Sequence, residues 1–384
     1  MIIRIAIAGI MLSLAAMILS VAVIKGFKTE IKEKVRGYLG DVRVYSHNMN
    51  NSFESSPFVP DNKTLALINN HPNVEWYQNF ATKPAIISVN GEVEGINFKG
   101  VDSTFHWDFI QKSLVDGNII KLNSQNSSRE ILLSQSTANR LKVKVGDEFV
   151  MHFVQNPPRP RKFKVVGIYD IGIEAIDKGF AIGSIDVIRK INNWDAQTIG
   201  GVEIKLKKFE SLNVTTGELH QVLNGDLQAE SIDNYFPSIF SWLDMLDVNT
   251  EVLLFLMLLV GVINMITALL IMILERVNMI GILKSFGATN YTIVKIFLYN
   301  ALYLILIGLF LGNLLGLGLG YLQLEFKLFN LQQSSYFLKY VPIEFHWQDV
   351  VLLNLGTVII CMLVLLIPSL LVSKITALKA IRFK

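Results

Sequence analysis

Four apolar runs, residues 2–24, 252–274, 293–322 and 350–372, each exceed the roughly 20 residues an α-helix needs to cross a hydrocarbon core. No other feature narrows the fold so far. Inside lipid the backbone must satisfy its own hydrogen bonds, and a single segment can do so only as a helix. The first run carries no charge between Ile5 and Ile24, and in the second only Asn264 and Thr267 interrupt strongly. The third is rich in glycine, and the fourth contains Pro368 near its end. Only 17% of the residues are charged, against about 25% in soluble domains, so part of the chain is built for lipid. A cleaved signal peptide is the other reading of residues 2–24. Its apolar stretch is longer than the usual 7–15 or so residues and Arg4 alone makes a poor basic leader, so an uncleaved span is the better reading. Met1 sits almost at the membrane edge, which is expected where a further cytoplasmic segment precedes the chain.

Four spans put both termini on one side. The connection between the second and third spans holds Arg276, Lys284 and Lys295 against Glu275, and the tail holds Lys374, Lys379, Arg382 and Lys384 with no acid. The connection between the third and fourth has Lys327 and Lys339 against Glu325, Glu344 and Asp349. Basic residues in short loops stay in the cytoplasm, so the termini and the 275–288 connection are expected there. Lys25, Lys28, Lys32, Lys34 and Arg36 then lie outside, interleaved with Glu30 and Glu33, at the start of an insert long enough to cross regardless of charge. The net charge is +3 with dispersed basic residues, which gives no reason to expect nucleic acid. The single Cys361 lies in the last span and excludes a disulfide framework within one chain.

The insert has ordinary soluble composition. It opens on an amphipathic helical stretch, 27–39, expected to extend the first span outward. Strand-like runs follow at 42–45, 85–89, 131–133, 148–154, 163–168 and 202–206, with helix-like runs at 61–70, 134–141, 184–191 and 214–223. Asn90-Gly91, between 85–89 and 93–98, is a two-residue hairpin signal. Short strands mixed with helices predict an α+β domain of two lobes, with 123–128 a solvated loop. Residues 156–162, Asn-Pro-Pro-Arg-Pro-Arg-Lys, stand between two strand-like runs. Three prolines stiffen this stretch and bar it from sheet pairing. It reads as a solvated hairpin tip or as a rigid projecting loop that docks a partner.

Much chemistry is missing. There is no G-x-x-x-x-G-K-[ST] loop for ATP, no paired metal spacing among the six histidines and no G-x-S-x-G. Acidic residues are absent from the spans apart from their ends, which argues against proton- or ion-coupled transport. Asn264 reads as an interhelical hydrogen-bonding group, and Gly308, Gly312, Gly316 and Gly320 as a close-packing face, within the chain or in a dimer. Residues 275–288, ERVNMIGILKSFGA, are patterned beyond what a connector needs. They predict a short helix at the membrane surface with apolar residues available to a partner.

Several of these stretches carry a resemblance. They are Ile7-Ala8-Gly9-Ile10 and 21–27 around the first span, 165–174 (VVGIYDIGIE) in the insert, 275–288 as the strongest, and Lys379-Ala380-Ile381-Arg382 at the end. Nearly the whole chain resembles the lipoprotein-releasing ABC permeases of the LolC/LolE type, within the wider group of MacB-type and FtsX permeases. The resemblance implies an α+β membrane protein with four transmembrane helices and a large extracytoplasmic α+β domain inserted between helices 1 and 2. Its divisions are expected at 1–25 (helix 1), 26–250 (periplasmic domain), 251–274 (helix 2), 275–292 (cytoplasmic coupling helix), 293–322 (helix 3), 323–349 (periplasmic loop), 350–373 (helix 4) and 374–384 (tail).

On residues, the resemblance places a coupling helix at 275–288, seated in a groove of a separate ATPase subunit. Met279, Ile280, Leu283 and Phe286 supply apolar contact, Glu275, Arg276 and Lys284 charge, and Gly281, Gly287 and Ala288 close approach and the turn out. Pro157, Pro158, Arg159, Pro160 and Arg161 match in position the hook that engages a periplasmic lipoprotein carrier. Met11, Met17, Met257 and Leu258 are candidates to line the entry of the lipid anchor, although packing or lipid contact also explains them. The implied partners are an ABC ATPase dimer, a second permease copy or paralogue, the carrier, lipoprotein substrates and membrane lipids. The chain itself needs no cofactor or metal; ATP and Mg belong to the ATPase. The implied location is the inner membrane of a Gram-negative bacterium, and the alternative function is efflux or mechanotransmission of the MacB/FtsX kind. The 275–288 pattern is common to that whole group, whereas 165–174 after a Pro-rich loop points more narrowly to lipoprotein release.

Overall fold

Helical spacing does not stop where the first apolar run ends. Ile31, Val35, Tyr38 and Leu39 keep one face of the following residues fully buried, so α1 (Ile2–Leu39) is a single helix of about 57 Å. Gly40 ends it with φ +73°, its N–H bonded to the Arg36 carbonyl. The computed structural model describes residues 2–46, 54–122, 126–223 and 226–369. The expected end of the fourth span past 369, the basic tail with Lys374, Lys379, Arg382 and Lys384, and part of the 123–128 loop lie outside the described residues. The chain forms two compact units, one of Met1–Glu30, Ser241–Leu331 and Tyr340–Lys384, the other of Ile31–Phe240 and Gln332–Lys339.

Among the described residues, the second unit contains ten strands. They are β1 (Val42–Ser46), β2 (Val74–Val89), β3 (Glu92–Val101), β4 (Leu114–Gly117) and β5 (Glu130–Ser134). β6 (Glu148–Phe153), β7 (Arg159–Tyr169), β8 (Phe180–Ser184), β9 (Gly201–Leu206) and β10 (Leu227–Ser231) follow. The helices between them are α2 (Asn62–Asn70), α3 (Asp108–Lys112), α4 (Gln135–Leu141), α5 (Glu174–Asp177), α6 (Ile185–Asn192), α7 (Leu212–Val222) and α8 (Ile232–Tyr235). The order is β10-β1-β9-β2-β3-β8-β5-β7-β4, and β6 pairs with both β2 and β7. The ladders β2–β3–β8–β5–β7–β6 therefore close into a ring, filled by Phe98, Phe153 and Phe163 with ring centroids 5.4–6.3 Å apart. The other lobe is the open sheet β10-β1-β9-β2. Strand β2 serves both, pairing with β9 through 74–80 and with β6 through 85–88.

Asn90 (φ +54°) and Gly91 (φ +79°) form the β2–β3 turn, both left-handed as a tight hairpin requires. Sequence periodicity finds only the last part of β2, because its earlier residues bury polar side chains. Gln78 and Lys83 are almost inaccessible, and Gln78 Nε2 donates to Glu203 Oε2 at 2.8 Å. Glu203 also accepts from Lys99 Nζ at 2.8 Å, with both side chains fully buried. Strands β4, β8 and β10 escape notice because they are short and carry Gly, Ser, Asp or Glu.

The first unit holds the long helices α9 (Pro237–Glu275) from Ser241 onward, α11 (Asn290–Phe326) and α13 (Trp347–Ser369), and between the first two the short α10 (Val277–Ser285). α9 starts well before the expected 251, with Pro237 at its first turn, where the missing N–H is harmless, and Ile239, Phe240 and Leu243 buried. The glycine face of α11 packs within the chain. A Cβ would stand 2.8 Å from Ile10 at Gly308, 3.0 Å from the Met11 carbonyl at Gly312, 3.1 Å from Ala15 at Gly316 and 2.3 Å from the Phe345 ring at Gly320. Gly9 in turn makes room for Asn264, 2.7 Å from where its Cβ would lie. A polar contact between α11 and α13 was not evident from sequence. Asn313 and Asn354 exchange side-chain amide bonds of 2.7 and 3.0 Å between α11 and α13.

Candidate functional site

Helix α10 has two distinct faces. Ile280 and Gly281 are buried, and Ile280 belongs to the same apolar cluster as Leu269, Ile273, Ile293 and Phe297. Met279, Ile282 and Phe286 are exposed, with Leu283 partly so, at the i, i+3, i+4, i+7 spacing of one helical stripe. Phe286 is 86% exposed. Ile280, expected among the partner contacts, is thus occupied by the chain's own bundle, and Ile282 takes its place on the open face. Sequence could have found Ile282 by laying this stripe through Phe286. Glu275 and Arg276 are exposed at the start of α10, and Lys284 is partly buried.

The exit from α10 is fixed by backbone geometry. Gly287 has φ +88°; its N–H bonds the Lys284 carbonyl, and the Ala288 N–H bonds that of Leu283, both at 3.0 Å. These two bonds and a left-handed glycine make a Schellman end. Thr289 then caps α11 by accepting from the Thr292 N–H. The chain reverses within a few residues, and a short amphipathic helix stands between two long ones with a bare apolar stripe.

Residues 156–162 are placed on the hairpin β6–β7. Pro157 and Pro158 lie in the exposed connection, but Arg159, Pro160, Arg161 and Lys162 pair with Phe153, His152, Met151 and Val150. The prolines do not bar this stretch from pairing, as sequence implied, because β7 has β6 alone beside it at Pro160 and an edge position tolerates a missing N–H. The cations are also engaged. Arg159 Nη1 donates to the Ile191 carbonyl at 3.1 Å near the end of α6, Arg161 Nη1 to the Pro160 carbonyl at 2.9 Å, and Lys162 pairs with Glu148 at 2.6 Å. The tip therefore offers stiff prolines and Val154 more than free charge.

Met17 is fully buried in the membrane-helix cluster, with Met257 and Leu258 packed against it, and the carbonyl of Met11 lies against Gly312. Met17, Met257 and Leu258 thus pack among the membrane helices.

The 165–174 stretch runs along β7 into a rigid turn. Asp177 accepts the Ile171 N–H at 3.2 Å and the Gly172 N–H at 2.8 Å. Burial raises its carboxyl to about 6, against the lowering pull of those two N–H groups, with nearby Asp170 adding to the rise and Lys34 opposing it. A carboxyl raised on folding binds its proton more tightly in the folded state. Its contribution is complete below the unfolded value near 4 and is lost as pH rises through 6. Asp177→Asn should therefore gain on wild type by up to about 3 kcal/mol between pH 4 and 7. Paired thermal melts across that range check this; a constant difference refutes it.

The MacB-like periplasmic core domain model matches residues 5–222, and the FtsX-like permease C-terminal model residues 251–377. Lipoprotein-releasing system transmembrane protein LolC of Xylella fastidiosa (strain 9a5c) is 22% identical, over 98% of this chain and 92% of its own. LolE of Haemophilus influenzae is 23% identical, over 94% and 89%. Among solved structures, the periplasmic region of MacB from Actinobacillus actinomycetemcomitans shares 13% identity at a TM-score of 0.37, covering 53% of this chain and 95% of that one.

Proposed function

The chain belongs to the family that carries the MacB-like periplasmic core domain; on that premise we propose that it is the permease subunit of a lipoprotein-releasing ABC transporter. It extracts lipoproteins from the inner membrane and passes them to a periplasmic carrier, driven by a separate ATPase subunit. The observation that carries this reading is the nearly full-length likeness to LolC and LolE proteins.

The energetics require such a machine. Each CH₂ of an anchor holds it in the membrane by roughly 0.8 kcal/mol, so several long acyl chains resist release into water by tens of kcal/mol. ATP and Mg act on the partner ATPase dimer. Its closure moves α10, whose stripe of Met279, Ile282 and Phe286 sits in the ATPase groove, and the movement reaches a second permease copy or paralogue across the membrane. The termini and α10 lie on the cytoplasmic side, as the loop charges favour. The hairpin tip at Pro157, Pro158 and Pro160 engages the carrier, with Arg159 and Arg161 bracing it. Met11, Met17, Met257 and Leu258 lie on the helices that border the anchor's path.

Depleting the protein should trap outer-membrane lipoproteins in the inner membrane, read by fractionation. The group-wide FtsX-like match also suits an efflux or mechanotransmission permease. That second reading predicts drug or toxin sensitivity with normal sorting, and normal sorting on depletion would sink the first.

A further inference from the structure

We propose that Gln332–Lys339 is a strap, latched on Asp170, that carries movement of the third and fourth spans into β7 and so to the Pro-rich tip. This rests on the reading above. The segment lies in the connection between α11 and α13, yet it is part of the same compact unit as the inserted domain. It contains one short helix, α12 (Gln333–Tyr336), followed by Phe337 with φ +61° and by the buried Leu338.

Its attachments converge on the turn after β7. Gln333 Nε2 donates to Asp170 Oδ1 at 2.9 Å, and Lys339 Nζ pairs with Asp170 Oδ2 at 2.8 Å, so both carboxylate oxygens face the strap. Lys34, on α1, donates to the Ile171 carbonyl at 2.6 Å and to the Phe337 carbonyl at 3.1 Å. Gly172 has φ +85°, and a Cβ there would lie 2.6 Å from Gln333 Nε2, 2.7 Å from Lys34 Nζ and 3.0 Å from the Phe337 carbonyl. A side chain at Gly172 would displace the Gln333 and Lys34 termini from the turn and crowd the Phe337 carbonyl. The turn cannot easily yield, because Asp177 holds the Ile171 and Gly172 N–H groups.

Geometry makes β7 the transmitting element. Its 11 residues span about 36 Å. One end carries the hairpin connection at 154–158, and the other leads straight into Asp170. Along its length it is paired to β6, β5 and β4, so it moves as part of the closed ring and not as a free strand. A pull on either end of the strap, from α11 or α13, is delivered to this ring at the turn after β7, chiefly through the Asp170 carboxylate. Asp170 touches no substrate in this scheme. It is a positioning residue.

The test uses the intact complex with its ATPase in proteoliposomes, carrying Gln333→Ala with Lys339→Ala, or Asp170→Asn. Lipoprotein release should fall about tenfold, within the range of ordinary coupling between sites, while ATP hydrolysis continues near the wild-type rate. The strap substitutions leave the domain's core untouched, and limited proteolysis verifies that it stays folded. Unchanged release, or an equal fall in release and hydrolysis, overturns the strap. A wild-type complex that hydrolyses ATP without releasing lipoprotein sinks the functional reading instead. In that case hydrogen exchange at 154–158, compared between nucleotide-free and nucleotide-trapped complex, decides. A nucleotide-dependent change that the strap variants abolish supports the strap, and one they leave intact refutes it.

Discussion

Phe286→Asp should cost more than about a hundredfold in lipoprotein release and strip the ATPase from the purified permease. Phe286 is 86% exposed, so the chain itself loses almost nothing: surface changes of this kind stay within about 0.5 kcal/mol of stability. Seated in a partner's apolar groove, a carboxylate with no counter-charge is an uncompensated buried charge, costing about 3–5 kcal/mol. At about 1.4 kcal/mol per factor of ten, that exceeds a hundredfold in affinity. Ile282→Asp should behave alike. Ile280→Asp should instead damage the protein in the membrane, since Ile280 is fully buried against the chain's own helices. Co-purification of the ATPase, measured beside membrane levels of each variant, separates these outcomes. Wild-type recovery of ATPase with Phe286→Asp would remove α10 from the coupling role.

The second large effect concerns the inserted domain. Lys99→Met should destabilise it by about 3–5 kcal/mol, a large share of the 5–15 or so by which domains are usually stable. Burial pushes Lys99 down to about 8, so it keeps its proton at neutral pH and its 2.8 Å contact with Glu203 is an ion pair. Its ammonium also donates to the Tyr38 carbonyl at 2.8 Å. Truncating Lys99 leaves Glu203 buried with Gln78 as its remaining hydrogen-bonded donor and Arg43 3.8 Å away. Lys99→Met with Glu203→Gln removes both charges and keeps the shape, so it should recover more than half of the loss. Thermal unfolding with protease sensitivity of the domain reports both, and a double variant no better than the single one would show that the charge pair is not the cause.

Legibility from sequence tracked how far each signal depends on residues nearby in the chain. The membrane runs were plain, because lipid demands uninterrupted apolar length and nothing distant can substitute for it. The Asn90-Gly91 turn was equally plain, since two left-handed positions need those residue types locally. The early part of β2 was hidden because Gln78 and Lys83 are buried against partners outside their own strand, 125 and 29 positions away, and such burial inverts the usual polar-out pattern. The Asn313–Asn354 pair was missed for the same reason: neither residue points to the other until α11 and α13 are side by side. In the hairpin, the expectation that proline bars pairing fails at Pro160, because tolerance depends on which strand edges are occupied.

Legible in the sequence alone were the membrane-spanning segments, the α+β insert, a short amphipathic element within 275–288 and the group of permeases the chain resembles. The first three follow from composition or periodicity along a continuous stretch; the resemblance rests on matching motifs. Only the tertiary structure decided which way α10 faces, giving Ile280 to the bundle and leaving Ile282 and Phe286 bare. It also brought Gln333 and Lys339 to Asp170 from the far side of the chain. Burial and pairing are properties of what surrounds a side chain, and packing assembles those surroundings from other elements, near in sequence for Ile280 and 163 positions away for Gln333 and Asp170.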